Sequence, residues 1–111
     1  MTAAFELRKR VGDRHEIVVL DPRPDFTFIP SLIWVPFRRR EASDVTFPLS
    51  PVYRRKGVRF INEAVAKIDP AAHTVTTSAG DELSYDRLFI GTGPRLAFGR
   101  VRGLGPHEGY T

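Results

Sequence analysis

Ser84-Tyr85-Asp86-Arg87-Leu88-Phe89-Ile90-Gly91-Thr92-Gly93-Pro94 decides how the chain is read. Leu88, Phe89 and Ile90 are bulky, apolar and β-favouring, which predicts a short buried parallel strand. Gly91-Thr92-Gly93-Pro94 ends that run abruptly. Glycines after a strand let a backbone or a ligand come close, because no Cβ stands in the way. In open α/β sheets a ligand binds outside the carboxyl ends of the strands. A tight turn after a core strand would use the same residues.

Upstream, Ala4, Leu7 and Val11 fall at helical spacing with Phe5 beside them, and Gly12-Asp13 follows a basic last turn, so a helix is predicted over Thr2 to Val11. Small residues at its start suit close packing on a sheet or a phosphate at the helix N-terminus. His15 to Asp21 holds four consecutive apolar residues, three of them β-branched, and ends on an acid. This reads as a parallel strand. Asp21 is then either the acid that hydrogen-bonds a dinucleotide ribose or a turn-starting residue before Pro22.

Residues 22 to 51 carry six prolines, which forbid long helices, so the stretch reads as irregular apart from short helices near Ser31 to Val35 and Leu49 to Lys56. Phe26, Phe28, Ile29, Trp34, Val35 and Phe37 make it unusually aromatic for a loop. It either caps its own core or packs on a flat or lipid-like ligand. Val58 to Ile61 reads as a strand. Glu63 to Asp69, His73 to Thr77 and Glu82 to Tyr85 read as a three-stranded antiparallel meander.

The chain has 111 residues, 41% hydrophobic and 27% charged, room for one modest soluble core. It contains no cysteine, which excludes a disulfide framework, a thiolate metal site and a cysteine nucleophile within these residues. His15, His73 and His107 lack metal-ligand spacing, so no metal is expected. The net charge of +4 concentrates at Arg38-Arg39-Arg40 and Arg54-Arg55-Lys56. Such clusters suit a phosphate, an anionic surface or nucleic acid. Without interleaved aromatic residues a solvated surface is the simpler reading, and no nucleic-acid partner is expected.

The order of elements resembles the first FAD-binding domain of flavoproteins with two dinucleotide-binding domains, and Gly91-Thr92-Gly93 is similar to their second glycine motif. The wording is similar to bacterial sulfide:quinone oxidoreductases in three blocks: Phe26-Thr27-Phe28-Ile29-Pro30-Ser31-Leu32-Ile33-Trp34-Val35, Gly91-Thr92-Gly93-Pro94-Arg95-Leu96-Ala97-Phe98, and Gly103-Leu104-Gly105-Pro106-His107-Glu108-Gly109. Ile33 stands where that family more often has proline. The implied fold class is α/β: residues 1–111 as a single partial FAD-binding Rossmann-like domain with a three-stranded antiparallel meander. The first strand and its Gly-x-Gly-x-x-Gly turn are missing.

The resemblance implies FAD as cofactor, with Thr2 and Ala3 facing the pyrophosphate. Asp21 would lie at the adenosine ribose with Pro22 and Arg23 beside it, and the backbones of Ala64 and Val65 at the adenine. Pro30 and Ser31 would lie near the flavin, and Thr92, Gly93 and Pro94 would close over the cofactor. It implies sulfide and a quinone as substrates of the full-length enzyme. It further implies a peripheral membrane location in a bacterium through a C-terminal region outside these residues, and it allows a homo-oligomer. The redox cysteines of that family also fall outside, so no catalytic residue is expected here and this soluble piece is expected to be inactive alone. A sheet lacking its first strand leaves open edges, so weak or absent FAD binding and poor isolated stability are expected. The alternatives are a piece of another flavoprotein of the type II NADH dehydrogenase kind, and a non-catalytic truncated module.

Overall fold

The computed structural model describes residues 1–94 and 97–103. Helix α1 spans Thr2–Val11, as its apolar spacing predicts, and ends at Gly12 with Arg8, Lys9 and Arg10 in the last turn, where cations complement the helix dipole. The chain then enters β1, Val18–Leu20. A second helix, α2 (Leu49–Arg55), leads through Gly57 into β4, Arg59–Ile61. The φ of +65° at Gly57 is a conformation a side chain would disfavour, and it turns the chain sharply from α2 into β4.

Strands β1 and β4 pair in parallel with Val18 opposite Arg59, Val19 opposite Phe60 and Leu20 opposite Ile61. The main core lies against this pair. Ile17, Leu49, Tyr53 and Val58 are buried, with Ala4, Phe5, Val11, Val19, Phe26 and Phe60 packed around them. Tyr53 is its centre, stacked on Phe60 at 5.2 Å and tilted against Phe5 at 5.5 Å. Aromatic pairs of this kind contribute about 0.5–1.5 kcal/mol each beyond their buried area.

Arg8 ties the elements together. Its Nη1 donates to the carbonyls of Gly12 and His15, and its Nη2 to that of Gly57. One guanidinium thus joins the end of α1, the approach to β1 and the turn before β4. Its side chain is mostly covered, and its Nε is buried without a partner.

A three-stranded antiparallel sheet follows, β5 (Val65–Asp69), β6 (Thr74–Thr77) and β7 (Glu82–Ser84), in that order. Val75 and Thr77 are its buried residues. Asp69 closes the first turn by accepting the N–H groups of Ala71 and Ala72. The Thr77 hydroxyl accepts the N–H of Asp81 in the second turn.

Two expectations are corrected. Residues 22–51 are not merely irregular. Asp25–Thr27 (β2) pairs antiparallel with Thr46–Pro48 (β3), Phe26 facing Phe47 at 5.1 Å. The Ser31–Val35 helix is a 3-10 helix over Ile29–Trp34, and a second such turn spans Ala42–Val45. Second, Leu88–Ile90 is not a buried strand. It forms no ladder, and Leu88, Phe89 and Ile90 are 40%, 76% and 63% exposed. A strand needs a neighbour to receive its N–H and C=O groups. Among the described residues, none pairs with this trio. The block from Leu104 to Gly109 lies outside the described residues, as do Arg95 and Leu96.

Replacing Arg8 by methionine keeps the apolar stem and removes three charged hydrogen bonds. Arg8→Met is expected to lose about 2 kcal/mol, seen as a lower urea midpoint at unchanged slope. Lys9→Met, which removes an exposed pair with Glu6, is expected to leave the midpoint unchanged.

Candidate functional site

Because β1 and β4 run parallel and in register, their carboxyl ends lie side by side, and the residues that leave them meet. Asp21 follows β1 and Asn62 follows β4. The Asp21 N–H donates to the Ile61 carbonyl at 3.3 Å, and Asn62 Nδ2 donates to the Asp21 carbonyl at 2.9 Å. The Asp21 main chain is therefore pinned on both sides at the strand end.

That carboxylate is gripped by Arg23. The Arg23 Nε donates to Oδ1 at 3.1 Å, its Nη2 to Oδ2 at 3.0 Å, and its backbone N–H to Oδ1 at 3.0 Å. Both oxygens are thus engaged by a planar fork of donors. The Arg23 hydrogen bonds hold the Asp21 carboxyl below its ordinary value of 3.8, against the opposing effect of partial burial. The Arg23 side chain is 78% exposed and that of Asp21 24%. The pair is bidentate, the geometry in which an ion pair holds best, with its arginine side open to water and its carboxylate half-covered. Tyr53 lies near enough that burial first, and the Asp21 charge second, push its phenol up.

The other expected positions are more dispersed. Ala64 and Val65 follow Asn62 directly. The Ala64 carbonyl accepts the Ser78 N–H at 2.9 Å, and Val65 pairs with Thr77 as β5 begins. Pro30 and Ser31 sit in the first turn of the 3-10 helix, where the Ser31 hydroxyl accepts from Arg40 Nη1 at 3.4 Å. Pro22 is exposed beside Asp21. Thr92, Gly93 and Pro94 are exposed in irregular backbone. Gly93 has a φ of +73°, and nothing lies within 4 Å of where its Cβ would be. Thr2 and Ala3 open α1, whose first turn carries no acid and whose N-cap Met1 makes no side-chain bond. Its terminal N–H groups therefore have no anionic side chain competing for them. Thr2 also lines a shallow groove of about 340 Å³ with Phe5, Glu6, Arg8, Lys9 and Lys56. Apart from Thr2, none of the expected site residues borders it.

Among the described residues, the structure thus brings Asp21, Pro22 and Arg23 to one place with Asn62. It makes no hydrogen bond or ion pair from that place to Thr2, Ala3, Pro30, Ser31, Thr92, Gly93 or Pro94. Asn62 is the residue the sequence reading missed. Its signal was available: it follows a predicted parallel strand just as Asp21 does.

Comparison with known proteins bears on this geometry. No family model matches the chain. The sulfide-quinone reductase of Aquifex aeolicus (strain VF5) is 38% identical over 99 residues, 89% of this chain and 23% of that protein. The crystal structure of the Aquifex aeolicus sulfide:quinone oxidoreductase superposes with a TM-score of 0.77 over 86% of this chain and 22% of that one.

The chain matches one stretch of the sulfide:quinone oxidoreductases.

It spans about a quarter of the length of the relatives it matches. The mouse mitochondrial sulfide:quinone oxidoreductase is 29% identical over 105 residues, 94% of this chain and 23% of that protein. The NADH:rubredoxin oxidoreductase of Clostridium acetobutylicum, at 18% identity and a TM-score of 0.52 over 74% of this chain and 24% of that one, shares the fold alone. The partial Rossmann-like α/β class with its antiparallel meander holds for this stretch of the family.

A carboxyl group whose titration is depressed by folding contributes stability above the unfolded value, lost as pH falls through the folded one. Arg23→Ala removes the cause at Asp21. The Asp21 carboxyl, followed by side-chain carbon NMR against pH, is expected to titrate closer to 3.8 in the variant, and the acid loss of stability at this site to shrink. An unchanged titration would mean that the ion pair does not form in solution.

Proposed function

We propose that this stretch supplies the adenosine side of the FAD site in an oxidoreductase that oxidises sulfide and passes the electrons to a quinone. The observation that carries the reading is Asp21, whose main chain is pinned at the carboxyl end of a parallel strand. That is the place where an acid in this architecture takes a ribose diol.

The residues present fit FAD by their chemistry. The two Asp21 oxygens offer the paired acceptors a ribose cis-diol needs. Their present partner is the Arg23 fork, whose side chain is 78% exposed, so water receives the guanidinium when a ligand takes the two acceptors. The acid-free start of α1 at Thr2 and Ala3 suits a pyrophosphate, where the helix dipole favours negative charge. The open backbone at Gly93, between Thr92 and Pro94, admits close approach of a ligand. The main chain of Ala64 and Val65 follows the Asp21 partner Asn62 by two to three residues and would meet the base attached to that ribose. Ala64 enters this contact through groups other than its carbonyl, which the meander already uses. Pro30 and Ser31 would border the flavin. Bound FAD supplies the two-electron redox chemistry, and the chain's residues position it.

The chain has no cysteine, so the sulfur chemistry falls to residues outside it. The whole enzyme would act at a membrane surface, where its quinone resides. Among the described residues no helix is long and apolar enough to cross a membrane.

Grafting tests this reading without asking the stretch to work alone. The Aquifex enzyme with its matching segment replaced by this one is expected to purify yellow and to reduce a soluble quinone with sulfide. Asp21→Ala in that chimera removes a charged acceptor worth about 1.5–3 kcal/mol, so flavin affinity is expected to fall tenfold or more. A chimera with native circular dichroism but no flavin would contradict the assignment.

A further inference from the structure

Three residues, Asn62, Glu63 and Ala64, join the end of β4 to the start of β5. Each commits one group to a partner distant in sequence. Asn62 Nδ2 donates backward to the Asp21 carbonyl at 2.9 Å. Glu63 Oε2 accepts the Ala79 N–H at 3.2 Å, and the Ala64 carbonyl accepts the Ser78 N–H at 2.9 Å. The linker is therefore tied to Asp21 at one end and to the turn between β6 and β7 at the other.

That turn is a firm anchor. Its five N–H groups, those of Thr77 to Asp81, are all placed. Thr77 donates to the Asp81 carbonyl at 2.8 Å, Gly80 to the Thr77 carbonyl at 3.1 Å, and Asp81 to the Thr77 hydroxyl at 3.2 Å. The other two, from Ser78 and Ala79, are the ones that reach the linker. The ladder beside the linker is less regular. The register of β5 on β6 shifts between Val65 and Lys67. Such a bulge leaves a residue unpaired and disrupts the ladder locally. Where the linker enters β5, the turn therefore does what the ladder does not. The Glu63 bond is the stronger kind of contact for this, because its acceptor is ionised.

We propose that Glu63 is a positioning residue for the adenosine half of the cofactor. By clasping the turn it fixes the linker, so that Asn62 reaches Asp21 while the main chain of Ala64 and Val65 is presented to the base. Glu63 itself acts through the linker and not on the cofactor. The inference rests on the flavin reading proposed above.

The grafted Aquifex enzyme, stripped of flavin and titrated with FAD, tests it. Glu63→Ala is expected to raise the FAD dissociation constant about three- to tenfold, the worth of one hydrogen bond. Glu63→Gln keeps a carbonyl acceptor at the same reach and is expected to recover most of the affinity. Glu63→Met keeps the stem without the acceptor and gives the same reading should Glu63→Ala fail to fold. Asn62→Ala is expected to weaken FAD by a similar factor. Combined with Glu63→Ala it is expected to cost less than the product of the two, because either loss frees the same linker. FAD affinity indifferent to loss of the Glu63 acceptor would overturn the proposal, as would failure of glutamine to restore it or fully multiplicative effects at the two positions. In each of those cases Asp21→Ala still weakens FAD if the flavin reading holds. An affinity that Asp21→Ala leaves unchanged would overturn both.

Discussion

Everything in this structure depends on two three-residue strands staying paired in parallel. Parallel strands cannot be joined by a tight turn, and their slanted hydrogen bonds are slightly weaker than antiparallel ones. Strands β1 and β4 lie some forty residues apart in the chain and share one short register. Their pairing is held from outside. α1 and α2 bury Phe5, Leu49 and Tyr53 against them, and the Arg8 guanidinium gathers the carbonyls of Gly12, His15 and Gly57. A single cation thus fixes where the helix ends, where one strand begins and where the chain turns into the other.

The chemistry follows from that register. With Leu20 opposite Ile61, the next residues on each strand are Asp21 and Asn62. The Asn62 amide takes the Asp21 carbonyl, and the Ile61 carbonyl takes its N–H. Both carboxylate oxygens are then held together by the Arg23 fork. A one-residue slip of either strand would separate the pair and turn the acid to the other face.

Much of this was legible from local pattern. α1 keeps helical spacing over ten residues, and the meander alternates with period two and is separated by turn residues, so both follow from contacts close in sequence. What the sequence hid depends on distant partners. Leu88-Phe89-Ile90 has the composition of a core strand, but composition does not provide an edge to pair with, and the trio stays exposed. Asp25–Thr27, just after Pro24, and Thr46–Pro48, ending on a proline, are three residues each and recognise one another across a long intervening loop. Asp21 could be marked as a ribose acid or a turn residue from its place after a strand. Only the register between strands brought Asn62 to it, and only the side-chain geometry showed Arg23 closing over it.

The central claim is that the Asp21 carboxylate receives a ribose and that Arg23 holds its place until then. A crystal structure of the grafted Aquifex enzyme with FAD bound tests this most directly. The account predicts both Asp21 oxygens within about 2.5–3.0 Å of the adenosine ribose hydroxyls and the Arg23 fork displaced from them. FAD bound with its ribose elsewhere, and the Asp21–Arg23 pair intact, would contradict it.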